Sequence, residues 1–93
     1  MKLVLAGAAS RDLSRLRDFI AVHDPVGASR IASDLRARIA HLKTFPDIGL
    51  GVSGAPASLP LREFTFGDYV VRCVRLETSL VVLRVWHHRE ERR

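Results

Sequence analysis

Apolar residues recur with a helical period near the start of the chain. They fall at i, i+3, i+6 and i+7, which is one face of a helix: Leu13, Leu16, Phe19 and Ile20. Ser10 suits the N-cap position, and Asp12 would then lie in the first turn, where an acidic side chain favours the helix. The pattern ends near residues 22–23, and a short strand over residues 2–6 precedes it.

A second helical pattern follows at once. Asp24 and Pro25 form a start signal, with a capping side chain and a proline at the first helical position. The apolar face of this helix is Ala28, Ile31, Ala32, Leu35, Ile39 and Leu42. Because the residue before a proline resists the helical conformation, we expect the helix to end before Pro46. The two helices form a hairpin over about 10–44.

The rest of the chain predicts a loop and then strands. Residues 46–60 hold three glycines and three prolines, which indicates a long loop. Runs of β-branched and aromatic residues separated by turn residues predict a meander of three strands: 61–66, 69–76 and 80–87. The order β-α-α-β-β-β makes this one α+β domain over residues 1–93. The helical hairpin packs on a small, mainly antiparallel sheet.

The last two strands have no cleanly polar side. Simple alternation puts Val81, Leu83 and Val85 on one side of the last strand, and Arg84 and Trp86 on the other. The second sheet face therefore either exposes arginines among apolar residues or is covered by a partner.

Charge and composition narrow the class of protein. Fifteen Lys and Arg oppose ten Asp and Glu, thirteen of the fifteen are Arg, and the pI is near 10.7. With 47% hydrophobic residues the composition is globular, and the basic surface suits nucleic acid or an acidic protein segment. The lone Cys73 cannot form an internal disulfide and is expected to be a buried, inactive side chain.

No apolar run is long enough to cross a membrane, since that needs about 18 residues. The apolar start is about five residues, shorter than the roughly 7–15 of a signal peptide, so we expect a cytoplasmic protein. No metal-ligand or cofactor motif stands out. Neighbouring residues on a strand point to opposite faces, so His87 and His88 are not expected to bind one ion.

Several short motifs occur in one order along nearly the whole chain. They are Ala9-x-x-Asp12-Leu13-x-x-Leu16-x-x-Phe19-Ile20, Asp24-Pro25-x-x-Ala28, Leu42-x-x-Phe45-Pro46-x-x-Gly49, Leu61-Arg62-Glu63-Phe64, Gly67-Asp68-Tyr69-Val70-Val71 and Val82-Leu83-Arg84-Val85-Trp86-His87-x-Arg89. Together with the order of elements, these motifs resemble the RelE/ParE superfamily of toxins from bacterial type II toxin–antitoxin systems. The resemblance implies a toxin that a cognate antitoxin neutralises, in a toxin–antitoxin hetero-oligomer.

The superfamily has two branches with different targets. RelE-like members are ribosome-dependent ribonucleases that cut messenger RNA, whereas ParE-like members poison DNA gyrase. Where RelE-type toxins have lysines, this chain has Leu61 and Glu63; Val70 stands where a catalytic Arg is common. The chain also ends at Arg93 without a terminal Tyr, although Arg89 matches an Arg of the nuclease branch. These departures make the chain more similar to ParE.

A nuclease site could still be assembled from the residues present. Glu63 could act as the base, His87 or His88 as the acid, and arginines could hold the phosphate: Arg62, Arg72, Arg84 and Arg89. Alternatively, Glu63 and Arg62 are paired surface ions and His87 only closes the strand. Trp86 could stack on a base, or fill the core or an interface.

We therefore predict a ParE-like gyrase inhibitor that needs no cofactor and does no chemistry itself. The alternatives are a messenger RNA endonuclease using Glu63, Arg62, His87 and Arg89, and a detoxified interaction module. The residues expected to contact the target are Arg72, Arg84, Trp86, His88 and Arg89. The residues expected to contact the antitoxin are Leu16, Phe19, Ile31, Leu35, Tyr69 and Arg75.

Overall fold

The computed structural model describes residues 1–44, 50–51 and 61–90. Its two helices are α1 (Gly7–His23) and α2 (Pro25–His41). Its strands are β1 (Lys2–Leu5), β2 (Leu50–Gly51), β3 (Leu61–Phe66), β4 (Tyr69–Arg75) and β5 (Ser79–His87). Neither described helix is long and apolar enough to cross a membrane.

The strands form one mixed sheet in the order β1-β5-β4-β3-β2. β1 runs parallel to β5, because the helical hairpin carries the chain back before the meander begins, and the other pairs are antiparallel. The α+β prediction is therefore confirmed. The predicted loop 46–60 is wrong at one point, since Leu50–Gly51 pairs with β3 as a short edge strand. The rest of that loop, and residues 45–49 of the helix-end motif, lie outside the described residues.

The start predicted from the sequence is confirmed for α2 but not for α1. For α2 the signal is confirmed: Pro25 opens the helix, and Oδ1 of Asp24 accepts a hydrogen bond from the Gly27 N–H at 2.8 Å. A Cβ at Gly27 would overlap the Asp24 side chain, so a larger residue there would displace the capping carboxylate. For α1 the prediction is wrong, because the helix begins three residues before Ser10 and has no side-chain cap.

The core lies between the helical hairpin and one face of the sheet. It is built from the buried faces of both helices and from the inward side chains of β3, β4 and β5: Ala9, Leu13, Leu16, Leu35, Ile39, Leu42, Phe64, Val71, Cys73, Leu80, Val82 and Val85. Burial raises the pKa of the Cys73 thiol to about 12, so it remains protonated and unreactive, as expected.

A β-bulge in β5 explains why neither side of that strand was polar in the sequence. Arg72 pairs with Arg84, but the next residue, Cys73, pairs with Val82, so Leu83 is an extra residue on β5. The inserted residue reverses the alternation, and Val82 and Val85 both face the helices. The assignment of sides by simple alternation was therefore wrong beyond Val82.

Candidate functional site

A groove runs along α2 where the helix meets the β3–β4 turn. It consists of two adjoining hollows, of about 510 and 330 Å³, that share Asp34, Arg38 and Phe66. The second hollow is also lined by Ile31 and Tyr69, both half-buried. The α2 groove therefore offers an apolar floor bordered by the charged side chains of Asp34, Asp68 and Arg38, which suits an amphipathic protein segment.

The residues predicted to contact an antitoxin do not all lie in this groove. Ile31, Leu35 and Tyr69 are brought together there, although Leu35 is only 4% exposed and belongs mainly to the core. Leu16 is 3% exposed and also belongs to the core, so its prediction as a surface contact is corrected. Both leucines are buried in the core because they share a helix face with the residues that cover the sheet.

Phe19 and Arg75 lie away from the α2 groove. Phe19 is 56% exposed on α1 and lines a third hollow with His87, Arg89 and Glu90. Arg75 is exposed at the far end of β4 from Tyr69. Of the six predicted antitoxin contacts, three therefore line the α2 groove, two lie elsewhere on the surface, and Leu16 is buried in the core.

Buried Asp12 joins α1 to the free edge of β5. β1 pairs with β5 only as far as Val82, so beyond that residue no described strand lies along the edge of β5 that faces away from β4. Oδ2 of Asp12 accepts a hydrogen bond from the Val85 N–H at 2.9 Å. Farther along, Oε1 of Glu90 accepts one from the His87 N–H at 2.8 Å. Side chains thereby pair amide groups that would otherwise form an open sheet edge.

Two arginines complete this β5 edge cluster of Asp12, Arg15, Arg84 and Glu90. Arg84 donates from Nε to Oδ2 of Asp12 at 2.7 Å and from Nη2 to Oδ1 at 3.1 Å. Arg15 donates from Nη1 to Asp12 at 2.6 Å and from Nη2 to Glu90 at 3.1 Å. The cluster therefore connects α1, β5 and the residues after β5 in one network of charged hydrogen bonds.

The hydrogen bonds decide the ionisation of Asp12. Burial alone would raise the pKa of the carboxyl group. The bonds from Arg84, the Val85 N–H and Arg15 outweigh it and lower the pKa from 3.8 to about 2. The carboxylate stays charged at neutral pH, which the sequence did not indicate, since Asp12 looked like an ordinary first-turn residue.

This pKa predicts a loss of stability in acid. A carboxyl group whose pKa is lower in the folded chain contributes stability above about pH 4, and that contribution disappears as the pH falls toward 2. A difference of nearly two pKa units corresponds to about 2 kcal/mol in the free energy of unfolding. Urea unfolding at about pH 5 and about pH 2 should show this loss in the natural chain and a smaller one in Asp12→Asn. Equal losses in both would contradict the assignment.

Three of the predicted target-binding residues are already engaged within the chain. Arg84 is held by Asp12. Arg72 forms an ion pair with Glu63 and lies over the ring of Trp86, 5.2 Å from the ring centroid. Trp86 itself is 8% exposed. Only His88 and Arg89 of that predicted set are exposed.

The register places the predicted nuclease residues on different faces of the sheet. Arg62 pairs with Cys73 and His87 pairs with Tyr69, so both lie on the helix side. Glu63 pairs with Arg72 on the opposite side, where the two form an ion pair. The expected pairing of Glu63 with Arg62 is therefore corrected, because neighbouring residues of a strand point to opposite faces.

The end of β5 departs from strand geometry. The rings of His87 and His88 stack 4.7 Å apart, and both face Asp68 in the β3–β4 turn. The expectation that the two histidines point to opposite faces is wrong, because the chain enters a turn at His88. This C-terminal turn, residues 87–90, presents His88 and Arg89 to solvent.

Comparison with known proteins agrees with the architecture. A family model for the ParE toxin of the type II toxin–antitoxin system, parDE, matches residues 3–92. "Toxin RelE1" of Caulobacter vibrioides is 32% identical over 84 residues, which are 90% of this chain and 89% of that protein. The solved structure "Chromosomal ParDE TA system from P. aeruginosa" has a chain similar to this fold with a TM-score of 0.80. That likeness has 21% sequence identity and covers 94% of this chain and 95% of that one.

Proposed function

Because the chain belongs to the ParE toxin family of type II toxin–antitoxin systems, we propose that it is a cytoplasmic inhibitor of DNA gyrase that a cognate antitoxin neutralises. The register of β3 supports gyrase, and not RNA, as the target. General acid–base cleavage of RNA needs its base, acid and cations around one phosphate. Here Glu63 is paired with Arg72 and lies on the other sheet face from Arg62 and His87. Inhibition by binding needs no such arrangement.

The α2 groove is the proposed antitoxin site. Its floor carries the half-buried Ile31, Phe66 and Tyr69, and Arg38 at its rim can pair with an acidic side chain. An amphipathic antitoxin helix would place its apolar side chains on this floor. The solved relative of similar fold is described as part of a ParDE system, which supports a partner of this kind.

The exposed C-terminal turn is the proposed target contact. Arg89 is exposed and its guanidinium offers a fork of donors that suits carboxylate or phosphate, and His88 lies next to it. Phe19 and His23 of α1 line the same hollow as Arg89 and extend this surface with aromatic rings. Arg72, Arg84 and Trp86 act instead as supports within the sheet.

A second candidate is a messenger RNA endonuclease, favoured by the 32% identity to a protein named Toxin RelE1. Removing a general base costs roughly 10²- to 10⁴-fold in rate. We therefore expect Glu63→Gln to leave toxicity unchanged if the chain inhibits gyrase, and to abolish it if Glu63 is a catalytic base. Glu77→Gln, in the exposed β4–β5 turn, is the matched control.

The assay expresses each variant from a tightly repressed promoter and follows two products. Gyrase-linked cleaved DNA and a DNA-damage response, with intact messages and the same result for Glu63→Gln, are expected. Cut messages that disappear in Glu63→Gln would replace this proposal with the endonuclease. A folded chain without any effect on growth would identify a detoxified interaction module.

A further inference from the structure

Three side chains with metal-binding donors lie together at the end of the β3–β4 turn. Their ligand atoms, from Asp68, His87 and His88, are all within 4.8 Å of one another. Nε2 of His87 is 3.9 Å from one carboxylate oxygen of Asp68, and Nδ1 of His88 is 3.5 Å from the other. Among the described residues this is the cluster of three whose donors could meet around a single ion.

Backbone pairing holds the three residues in place without a ligand. His87 pairs with Tyr69 in the sheet, and the His88 N–H donates to the Asp68 carbonyl oxygen at 2.8 Å. The β3–β4 turn itself depends on Gly67, whose φ of 59° is a conformation that other residues rarely adopt. The site therefore stands on a closed hairpin end rather than on side chains that happen to meet.

We propose that Asp68, His87 and His88 form a binding site for a divalent transition-metal ion of the Zn²⁺ class. Two imidazole nitrogens and one carboxylate oxygen are donors that such ions prefer, and water can fill the fourth position. Hard ions such as Mg²⁺ prefer oxygen donors and should not bind. The site borders both proposed surfaces, since His88 also belongs to the proposed target contact and Asp68 lines one end of the α2 groove.

The three donor atoms must move closer together when a metal ion binds. Donors about 2.0–2.1 Å from a tetrahedral ion lie roughly 3.3 Å apart, closer than the present separations. Asp68 and His88 can supply this movement, because their side chains are 68% and 49% exposed. The carboxylate of Asp68 also lowers the local cost of placing a cation on a basic protein.

Two existing hydrogen-bond contacts limit the affinity. Nδ1 of His88 lies 3.3 Å from the Asp68 carbonyl oxygen, and it must carry no proton toward that oxygen when it binds a metal. The Arg89 N–H donates to Nδ1 of His87 at 3.1 Å. An ion on Nε2 needs the ring proton on Nδ1, so this bond must break when the metal binds. We therefore expect micromolar rather than nanomolar binding of Zn²⁺.

Isothermal titration calorimetry of the untagged chain with Zn²⁺ tests the site. One ion per chain is expected, with His88→Ala, His87→Ala and Asp68→Asn each weakening the binding by at least about tenfold, because even the loss of a residue that only orients a ligand costs about 10- to 100-fold in metal affinity. Asp68→Asn keeps a side chain suited to the turn, and circular dichroism verifies that each variant folds. His41→Ala, a histidine at the end of α2, should bind as the natural chain does.

The absorption spectrum of bound Co²⁺ is a second test, because it depends on the number and geometry of the metal ligands. Bound Co²⁺ should show the visible absorption of a low-coordinate site, and Zn²⁺ should displace it. Absence of Zn²⁺ binding overturns the proposal. So does a loss confined to His88→Ala, or an equal loss in His41→Ala, since either result would mean adventitious binding to single histidines.

Discussion

Asp12→Ala is expected to lower the free energy of unfolding by about 3–5 kcal/mol, because it removes several hydrogen bonds to a buried carboxylate and each such bond contributes about 1.5–3 kcal/mol. The substitution removes the acceptor of Arg84, Arg15 and the Val85 N–H together. For a domain of this size, that would lower the melting temperature by roughly 12–40 °C. Urea and thermal unfolding of the purified chain measure the effect.

The matched control is Asp18→Ala in the same helix. Asp18 is 74% exposed, and its ion pair with Arg17, at 3.5 Å, is also open to solvent. Its loss should therefore change stability by less than about 0.5 kcal/mol. Combining Asp12→Ala with Arg84→Ala should cost less than the sum of the two single changes, because both remove the same contact. Similar melting temperatures for Asp12→Ala and Asp18→Ala would show that the cluster does not stabilise the fold.

The second large effect is expected at the α2 groove. Ile31→Glu would place a carboxylate on the apolar floor, beside Asp34, where the proposed antitoxin helix docks. Truncating or charging a central interface residue costs about 2–4 kcal/mol, which weakens binding by roughly 30- to 1000-fold. Surface plasmon resonance or co-purification with the antitoxin encoded by a neighbouring reading frame measures the loss.

Ser33→Glu is the charge-matched control. It adds the same charge to an exposed position on the opposite side of α2, so antitoxin binding should change little. Because Ile31 is only half-buried, both variants should remain folded. Equal affinities for the two variants would place the antitoxin elsewhere on the chain. Toxicity that the antitoxin no longer suppresses in Ile31→Glu alone would support the groove.

Much of the fold was predictable because it depends on local signals. The helical period of the apolar residues predicted both helices and most of the side chains they bury, although Phe19 of the α1 face is 56% exposed. The Asp24-Pro25 start was confirmed in detail, since a cap and a proline act on the nearest backbone groups. Turn residues between apolar runs placed β3 at its observed bounds, Leu61–Phe66. The basic charge and the ordered motifs also indicated the family that residues 3–92 match.

The candidate site was only partly predictable. The periodicity marked Ile31 as a helix-face residue and Tyr69 as a strand residue, and the fold brings the two to one groove. However, the same periodicity could not separate core positions such as Leu16 from surface ones. Burial depends on which neighbouring element covers each part of the helix face, and that is a property of the packed chain.

The sequence alone was enough to predict both helices, four of the five described strands, their order and the family, but not the short strand Leu50–Gly51. Which charges meet depends on how the chain packs, as Asp12 shows: it is separated by 72 residues from Arg84, yet binds it directly. The bulge at Leu83 likewise decided which side chains of β5 face the helices, because a single extra residue reverses the alternation. Side-chain chemistry that acts through space depends on register and packing, and neither is encoded in the spacing of residues along one segment.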